Sequence, residues 1–244
     1  MVFLHGLFGQ GKNWTTVAKQ LAERHQVVLV DLPHHGRSPW ADRFDFVEAA
    51  AQVLEVLPEE PVALVGHSLG GKVSMVLSLL HPERVERLCV ADISPVTYET
   101  GSEFAGYMQA MRGIDLSQVA HRSDADRLLE PAVPNTTVRS FLLQNLRRDD
   151  DGGWRWQVNL DVLERDLDVL GSWPEDQLAG AAPYDGPVLW LAGERSGYVK
   201  PDYEPAMNRW FTRNRKVTIK GAGHWLHSER PDVFVEVLQQ FLGD

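Results

Sequence analysis

The run Val62-Ala63-Leu64-Val65-Gly66-His67-Ser68-Leu69-Gly70-Gly71-Lys72 restricts the fold of this chain more than any other segment. An apolar strand enters a G-x-S-x-G turn at residues 66–70, and a helical pattern over Val73–Leu80 leaves it. A turn this sharp has no room for bulk at either glycine and strains the backbone of the serine between them. The strain holds the Ser68 hydroxyl above the end of a sheet, where the free N–H groups of the new helix also point. Strand, tight serine turn and helix, in that order, predict an α/β sheet with a nucleophile at its carboxyl edge.

The rest of the chain supplies such a sheet. Apolar runs at Met1–Leu4, Val27–Asp31, Val62–Val65, Val85–Ile93, Pro187–Ala192 and Val217–Ile219 read as strands. Segments at Thr15–Arg24, Phe44–Leu57, Val73–Leu80, Glu204–Phe211 and Val233–Phe241 read as helices. Short Val- and Leu-rich runs alternating with amphipathic segments mark a mostly parallel sheet flanked by helices on both faces. With 244 residues, 43% of them hydrophobic, the chain can bury one full core of this kind.

Between residues 94 and 186 the alternation stops. Helical stretches at Ser102–Met111, Asp124–Leu129, Val138–Leu146 and Leu160–Leu170 are separated by Pro131, Pro134, Gly152-Gly153 and Pro174, and residues 147–151 read as a solvated loop. The insert begins and ends between consecutive strands of one sheet. It is therefore expected to be a helical cap, 94–186, on a core made of 1–93 and 187–244. A formal net charge of −10 argues against nucleic acid or an anionic membrane surface as partner, and no apolar run reaches the length of a membrane span. No signal-peptide pattern precedes the first strand, and the single cysteine, Cys89, sits in an apolar run as a core residue. The expected compartment is the cytoplasm.

A serine hydroxyl attacks only when a base takes its proton. Of nine histidines, His224 in Gly221-Ala222-Gly223-His224-Trp225 follows the last strand in a loop that two glycines let fold tightly. His227 lies nearby but reads as part of the helix approach. The acid that orients the imidazole must stand at a strand end. Asp92, closing the strand after the nucleophile's helix, is the favoured candidate, ahead of Glu194 and Asp202; Ser196, three residues past Gly193, cannot supply a charge. Oxyanion donors are expected from the backbone N–H groups of Leu69 and Leu7, the latter in the loop after the first strand. His5 reads there as a structural hydrogen-bonder. Phe8, His67, Phe104, Tyr107 and Trp225 are the candidates to line the substrate pocket.

Two rival motifs fail on their own chemistry. Gly6–Asn13 nearly matches G-x-x-x-x-G-K-[ST] and Asp31 ends an apolar run, but Asn13 lacks the hydroxyl a nucleotide-bound Mg²⁺ needs. His34-His35 are adjacent on a turn, where two imidazoles rarely converge on one ion. No cofactor or metal is expected.

Together His5-Gly6, Asp31-Leu32-Pro33-His34-His35-Gly36-Arg37-Ser38, the Ser68 turn, Asp92-Ile93-Ser94-Pro95 and Gly223-His224 resemble the α/β-hydrolase superfamily over almost the whole chain. The loop His5–Gly9, Lys72 and the Asp-Ile-Ser-Pro run are similar to the acyl-esterase group of YbfF and ABHD11. The resemblance implies a serine esterase or thioesterase and supports Asp92 as the acid. It also implies a β-hairpin ahead of the His-Gly strand. Here that strand begins at Met1, so the expectation is either a truncated start or a sheet without its first two strands, leaving six.

The expected reaction is cleavage of a small-molecule ester or thioester of a short-to-medium acyl group, through an acyl-enzyme on Ser68. Arg112, Arg139, Arg147 and Arg155 are candidates to meet the phosphates of a coenzyme A leaving group. The same triad would also serve carbon–carbon bond hydrolysis, perhydrolysis or lyase chemistry, or survive in a ligand receptor with negligible turnover.

Overall fold

The computed structural model describes residues 1–99 and 102–243. The chain forms two compact units, one of Met1–Leu32, Asp45–Thr97 and Trp173–Asp244, the other of Pro33–Phe44 and Tyr98–Ser172. The second unit is shorter than the expected 94–186 insert and takes in residues 33–44 as well. Along the chain the strands are β1 (Val2–Leu4), β2 (Val28–Val30), β3 (Val62–His67), β4 (Val85–Ala91), β5 (Leu146–Arg148), β6 (Trp154–Trp156), β7 (Tyr184–Gly193) and β8 (Phe211–Ile219). The helices of the first unit are α1 (Thr15–Leu21), α2 (Phe46–Glu55) and α3 (Leu69–Leu80); those of the second are α4 (Ser102–Arg112), α5 (Arg122–Leu129), α6 (Thr136–Leu143), α7 (Leu160–Arg165) and α8 (Leu167–Gly171). The first unit resumes with α9 (Glu204–Trp210), α10 (Leu226–Glu229) and α11 (Pro231–Leu242).

Six strands of the first unit make one sheet in the order β2-β1-β3-β4-β7-β8, every pair parallel. Chain order reverses between β1 and β3, which opens a crevice beyond the strands' carboxyl ends where this class of sheet holds its ligands. Register brings those ends level: Leu4 lies beside Gly66, Gly66 beside Val90, and Ala91 beside Leu191. The central strands are largely apolar and buried on both faces toward their carboxyl ends, over Leu64–Gly66 of β3 and Leu88–Ala91 of β4, as helices on two sides require. Phe3, Val65, Cys89 and Leu189 pack with Trp14 of the first loop and with Phe234, Leu238 and Phe241 of α11.

Helix boundaries follow local chemistry. Asp45 caps α2, accepting from the N–H groups of Val47 at 2.8 Å and Glu48 at 3.0 Å. Pro231 opens α11 and Gly243 closes it in the left-handed region at φ 89°. α3 is buried from Leu69 to Leu79, and its serines disappear into it: Ser74 donates to Gly70 O at 2.7 Å, Ser78 to Ser74 O at 2.6 Å.

Three expected boundaries shift for identifiable reasons. β8 starts at Phe211 instead of Val217, because an edge strand keeps exposed polar residues such as Thr212, Arg213 and Arg215 that erase its apolar signal. The helix expected over 138–146 ends at Leu143, and the chain turns into the antiparallel hairpin β5–β6. Arg147 and Arg148, read as loop, belong to β5, with the Arg148 guanidinium 4.2 Å above the Trp154 ring. The helix expected over 160–170 breaks at Asp166, whose carboxylate accepts the Phe44 N–H at 2.8 Å and pairs with Arg165.

Candidate active site

Five loops at the carboxyl ends of neighbouring strands meet in the first unit. Ser68, after β3, stands at φ 52°, a region that costs a non-glycine residue energy. The elbow tolerates no bulk around it. A Cβ on Gly66 would lie 2.3 Å from the Gly70 carbonyl oxygen, and one on Gly70 would lie 2.5 Å from that of His5. Leu69 is the first residue of α3, so its N–H belongs to the turn that has no intrahelical acceptor.

Asp92, after β4, is fully buried and also in the left-handed region, at φ 54°. Its carboxylate is held by three donors. Oδ1 accepts the Gly193 N–H at 3.0 Å, and Oδ2 accepts His224 Nδ1–H at 2.8 Å together with the Ser196 hydroxyl. With Nδ1 carrying its proton, His224 Nε2 presents a lone pair, and it lies 3.1 Å from Ser68 Oγ. The structure thus brings together the predicted nucleophile, base and acid across 156 and 132 residues of chain. The competing acids are used otherwise: Glu194 accepts the Gly221 N–H at 2.8 Å at the start of the histidine loop, and Asp202 lies in a short 3₁₀ turn.

The His224 loop is stapled in place. Gly223 N–H donates to Glu229 at 2.9 Å, Glu229 pairs with Arg195, and Arg195 N–H donates to Ala222 O at 2.9 Å. The imidazole itself sits between two rings, Tyr198 at 4.3 Å and His67 at 4.7 Å. His67 in turn contacts His227 at 4.6 Å, and His227 contacts Trp14 at 4.3 Å, so a column of rings runs from the core to the base. Burial holds the His67 imidazole well below its usual range, with His227 and His224 adding to the effect. Burial likewise brings His227 down to about 3. Both are neutral.

Of the expected pocket residues, Phe8 and His67 are buried, at 1% and 3% exposed. Phe8 adopts φ 61° within the loop that also carries Leu7. Trp225 caps α10 beside His224, with ring centroids 5.8 Å apart. Phe104 and Tyr107 lie on α4 of the second unit, edge to face, with the Tyr107 hydroxyl donating to Glu103. Sequence reasoning missed Ser196 and Tyr198. Ser196 had a signal, its spacing of three from Gly193, but its lack of charge hid its hydrogen bond to Asp92. Tyr198 had none.

The loop that mimics a phosphate cradle is tied up in itself. Asn13 Oδ1 accepts the Gln10 N–H at 2.6 Å and Asp31 Oδ1 accepts the Gly11 N–H at 2.7 Å, so neither faces a nucleotide. His5 bridges this loop to β2's end, Nδ1–H donating to Gly6 O at 2.8 Å and Nε2 accepting Leu32 N–H at 2.9 Å, which matches its structural reading. In the second unit His34 meets Arg43 O and Asn159, and His35 meets Pro33 O.

Residues 1–231 match the family model described as the alpha/beta hydrolase fold. The chain belongs to the α/β hydrolase family. Among curated members, this hydrolase is 39% identical over 252 residues to the sn-1-specific diacylglycerol lipase ABHD11 of Mus musculus, covering 99% of this chain and 80% of that protein. It is 29% identical to Esterase YbfF of Escherichia coli, covering 100% of this chain and 93% of the relative. A solved structure described as a marine microorganism esterase superposes with a TM-score of 0.93 at 35% identity, over 98% of this hydrolase and 94% of that chain.

Proposed function

We propose that this hydrolase cleaves carboxylic esters of short-to-medium acyl groups through an acyl-enzyme on Ser68. The observation that carries the reading is the unbroken chain of contacts from Ser68 Oγ to His224 Nε2 at 3.1 Å and from His224 Nδ1 to Asp92 at 2.8 Å. His224 takes the serine proton as Oγ attacks the acyl carbon, then donates it to the leaving alcohol. Asp92 keeps the imidazole in the tautomer that leaves Nε2 free and balances its charge once protonated. The backbone N–H groups of Leu69 and Leu7 receive the oxyanion. Water activated by His224 then releases the acid.

Relatives named as esterases and lipases support ester substrates. The arginines considered for coenzyme A have partners inside the second unit. Arg112 pairs with Asp161 and Glu164, Arg139 with Asp126, Arg147 with Gln157, and Arg155 with Asp149. An oxygen ester is thereby favoured over a coenzyme A thioester. Among the described residues no helix is long and apolar enough to cross a membrane. The lone cysteine, buried as Cys89, fits a cytoplasmic setting.

The test is labelling with a fluorophosphonate beside Ser68→Ala, read by intact mass, with hydrolysis of p-nitrophenyl butyrate, a diacylglycerol and an acyl-coenzyme A followed in parallel. One adduct on the parent and none on the variant, with turnover of oxygen esters, is the expected result. An unlabelled, folded parent would overturn the reading.

A further inference from the structure

We propose that His67 is a positioning residue that sets the base and the oxyanion loop at fixed heights around Ser68, through one hydrogen bond and one packed ring face. The inference rests on the reading of Ser68 and His224 given above. His67 adjoins the nucleophile in the chain, yet its side chain turns away from the surface and is 3% exposed. Its Nε2 lies 2.8 Å from the carbonyl oxygen of His224, the residue whose own ring reaches Ser68. A carbonyl only accepts, so His67 must carry its single proton on Nε2. Burial keeps the ring neutral, and so limits it to that one proton.

The opposite edge of the ring meets the loop after β1. A Cβ built on Gly6 would lie 2.8 Å from His67 Nδ1, 3.2 Å from its Cε1 and 3.3 Å from Ser68 Cβ. Gly6 therefore packs its bare backbone against the imidazole and the nucleophile at once, and any enlargement or tilt of the ring moves the loop that carries Leu7. The ring is locked from the remaining sides by His224 at 4.7 Å and His227 at 4.6 Å, the latter backed by Trp14. One side chain thus touches the base's backbone and the oxyanion loop while belonging to the nucleophile's strand. Displacing a catalytic group by an ångström costs up to about 10²-fold in rate, so this coupling should be visible in turnover.

The geometry also separates donor from ring. Glutamine places an Nε2–H the same number of bonds from Cα as histidine does, whereas phenylalanine keeps a ring and loses the donor. With p-nitrophenyl butyrate, His67→Phe is expected to lose roughly 10- to 100-fold in kcat with KM within about twofold, because no group that touches substrate has been removed. His67→Gln is expected to recover kcat to within about fivefold of the parent. In the unaltered protein, ¹⁵N-labelled imidazole spectra should show His67 as the Nε2–H tautomer, a readout independent of whether any variant folds.

A folded His67→Phe with parental kcat, equal impairment of the Gln and Phe variants, or an Nδ1–H tautomer would each overturn the proposal. Parent and Ser68→Ala run alongside keep the two readings apart. An inactive parent removes the esterase reading itself, whereas an active parent with an indifferent His67→Phe removes only the role of His67.

Discussion

Replacing Asp92 by asparagine should convert the site from active to nearly inert without unfolding it, and the reason lies in which oxygen meets which donor. Oδ1 of Asp92 accepts the Gly193 N–H at 3.0 Å. An amide in its place must keep its oxygen there, since an NH₂ group would face a donor. The NH₂ then falls where Oδ2 was, opposite His224 Nδ1 at 2.8 Å and the Ser196 hydroxyl. Ser196 can turn to accept, so the buried amide stays satisfied and the fold should survive. His224 cannot adapt without cost. Its Nδ1 must now accept, which moves the proton to Nε2 and removes the lone pair that faces Ser68 Oγ at 3.1 Å. A triad with its histidine in the wrong tautomer loses about 10⁴-fold in kcat, or about 5 kcal/mol of barrier. The assay is steady-state hydrolysis of p-nitrophenyl butyrate by Asp92→Asn, with circular dichroism to show that it folds. A folded variant within tenfold of the parent's kcat would refute the assignment, because a neutral amide would then serve as well as the carboxylate.

Three further outcomes follow from the same geometry. Ser196→Ala removes a hydrogen bond to a buried carboxylate, worth about 1.5–3 kcal/mol, and should lower Tm by roughly 3–12 °C while leaving kcat within tenfold; an unchanged melting curve would show that the hydroxyl does not hold Asp92. Gly66→Ala puts a Cβ 2.3 Å from Gly70 O and 2.4 Å from Ser74 Oγ, an overlap only the elbow itself can relieve, so denaturant unfolding should show a loss of about 1–3 kcal/mol or more and a parental midpoint would contradict it. Lys72 is 1% exposed, and burial lowers its ammonium from the usual 10.5 to about 7. Between those values the unfolded chain binds the extra proton, so the contribution of Lys72 to stability rises with pH through that window and its penalty is full below it. Lys72→Met should therefore raise Tm at pH 7 and lose that advantage toward pH 10, and a gain that grows with pH would refute the sign.

Much of this was legible in the chain because its causes are local. The elbow follows from sterics within five residues, and the strand–helix alternation around it follows from apolar periodicity, so a six-stranded parallel sheet with Ser68 at its edge could be written down from the residues. Where an element's signal depends on its neighbours, the reading blurred. β8 is strand over Phe211–Ile219, but its exposed edge is polar and only Val217–Ile219 announced it. The hairpin β5–β6 hid inside a run of charges because Arg148 draws its place from the ring of Trp154 across the turn.

The sequence by itself singled out Ser68 and His224 as the proposed nucleophile and base, since a strained serine turn and a glycine-flanked histidine loop are built by adjacent residues. Tertiary structure alone decided how they are held. Asp92 meets His224 because parallel register sets the ends of β3, β4 and β7 side by side, whereas Glu194 bonds to Gly221. Ser196 reaches Asp92, and His67 reaches the His224 carbonyl, across 104 and 157 residues. Hydrogen bonds of a few ångströms between such distant positions are set by how strands pair, and no local pattern of residue types encodes them.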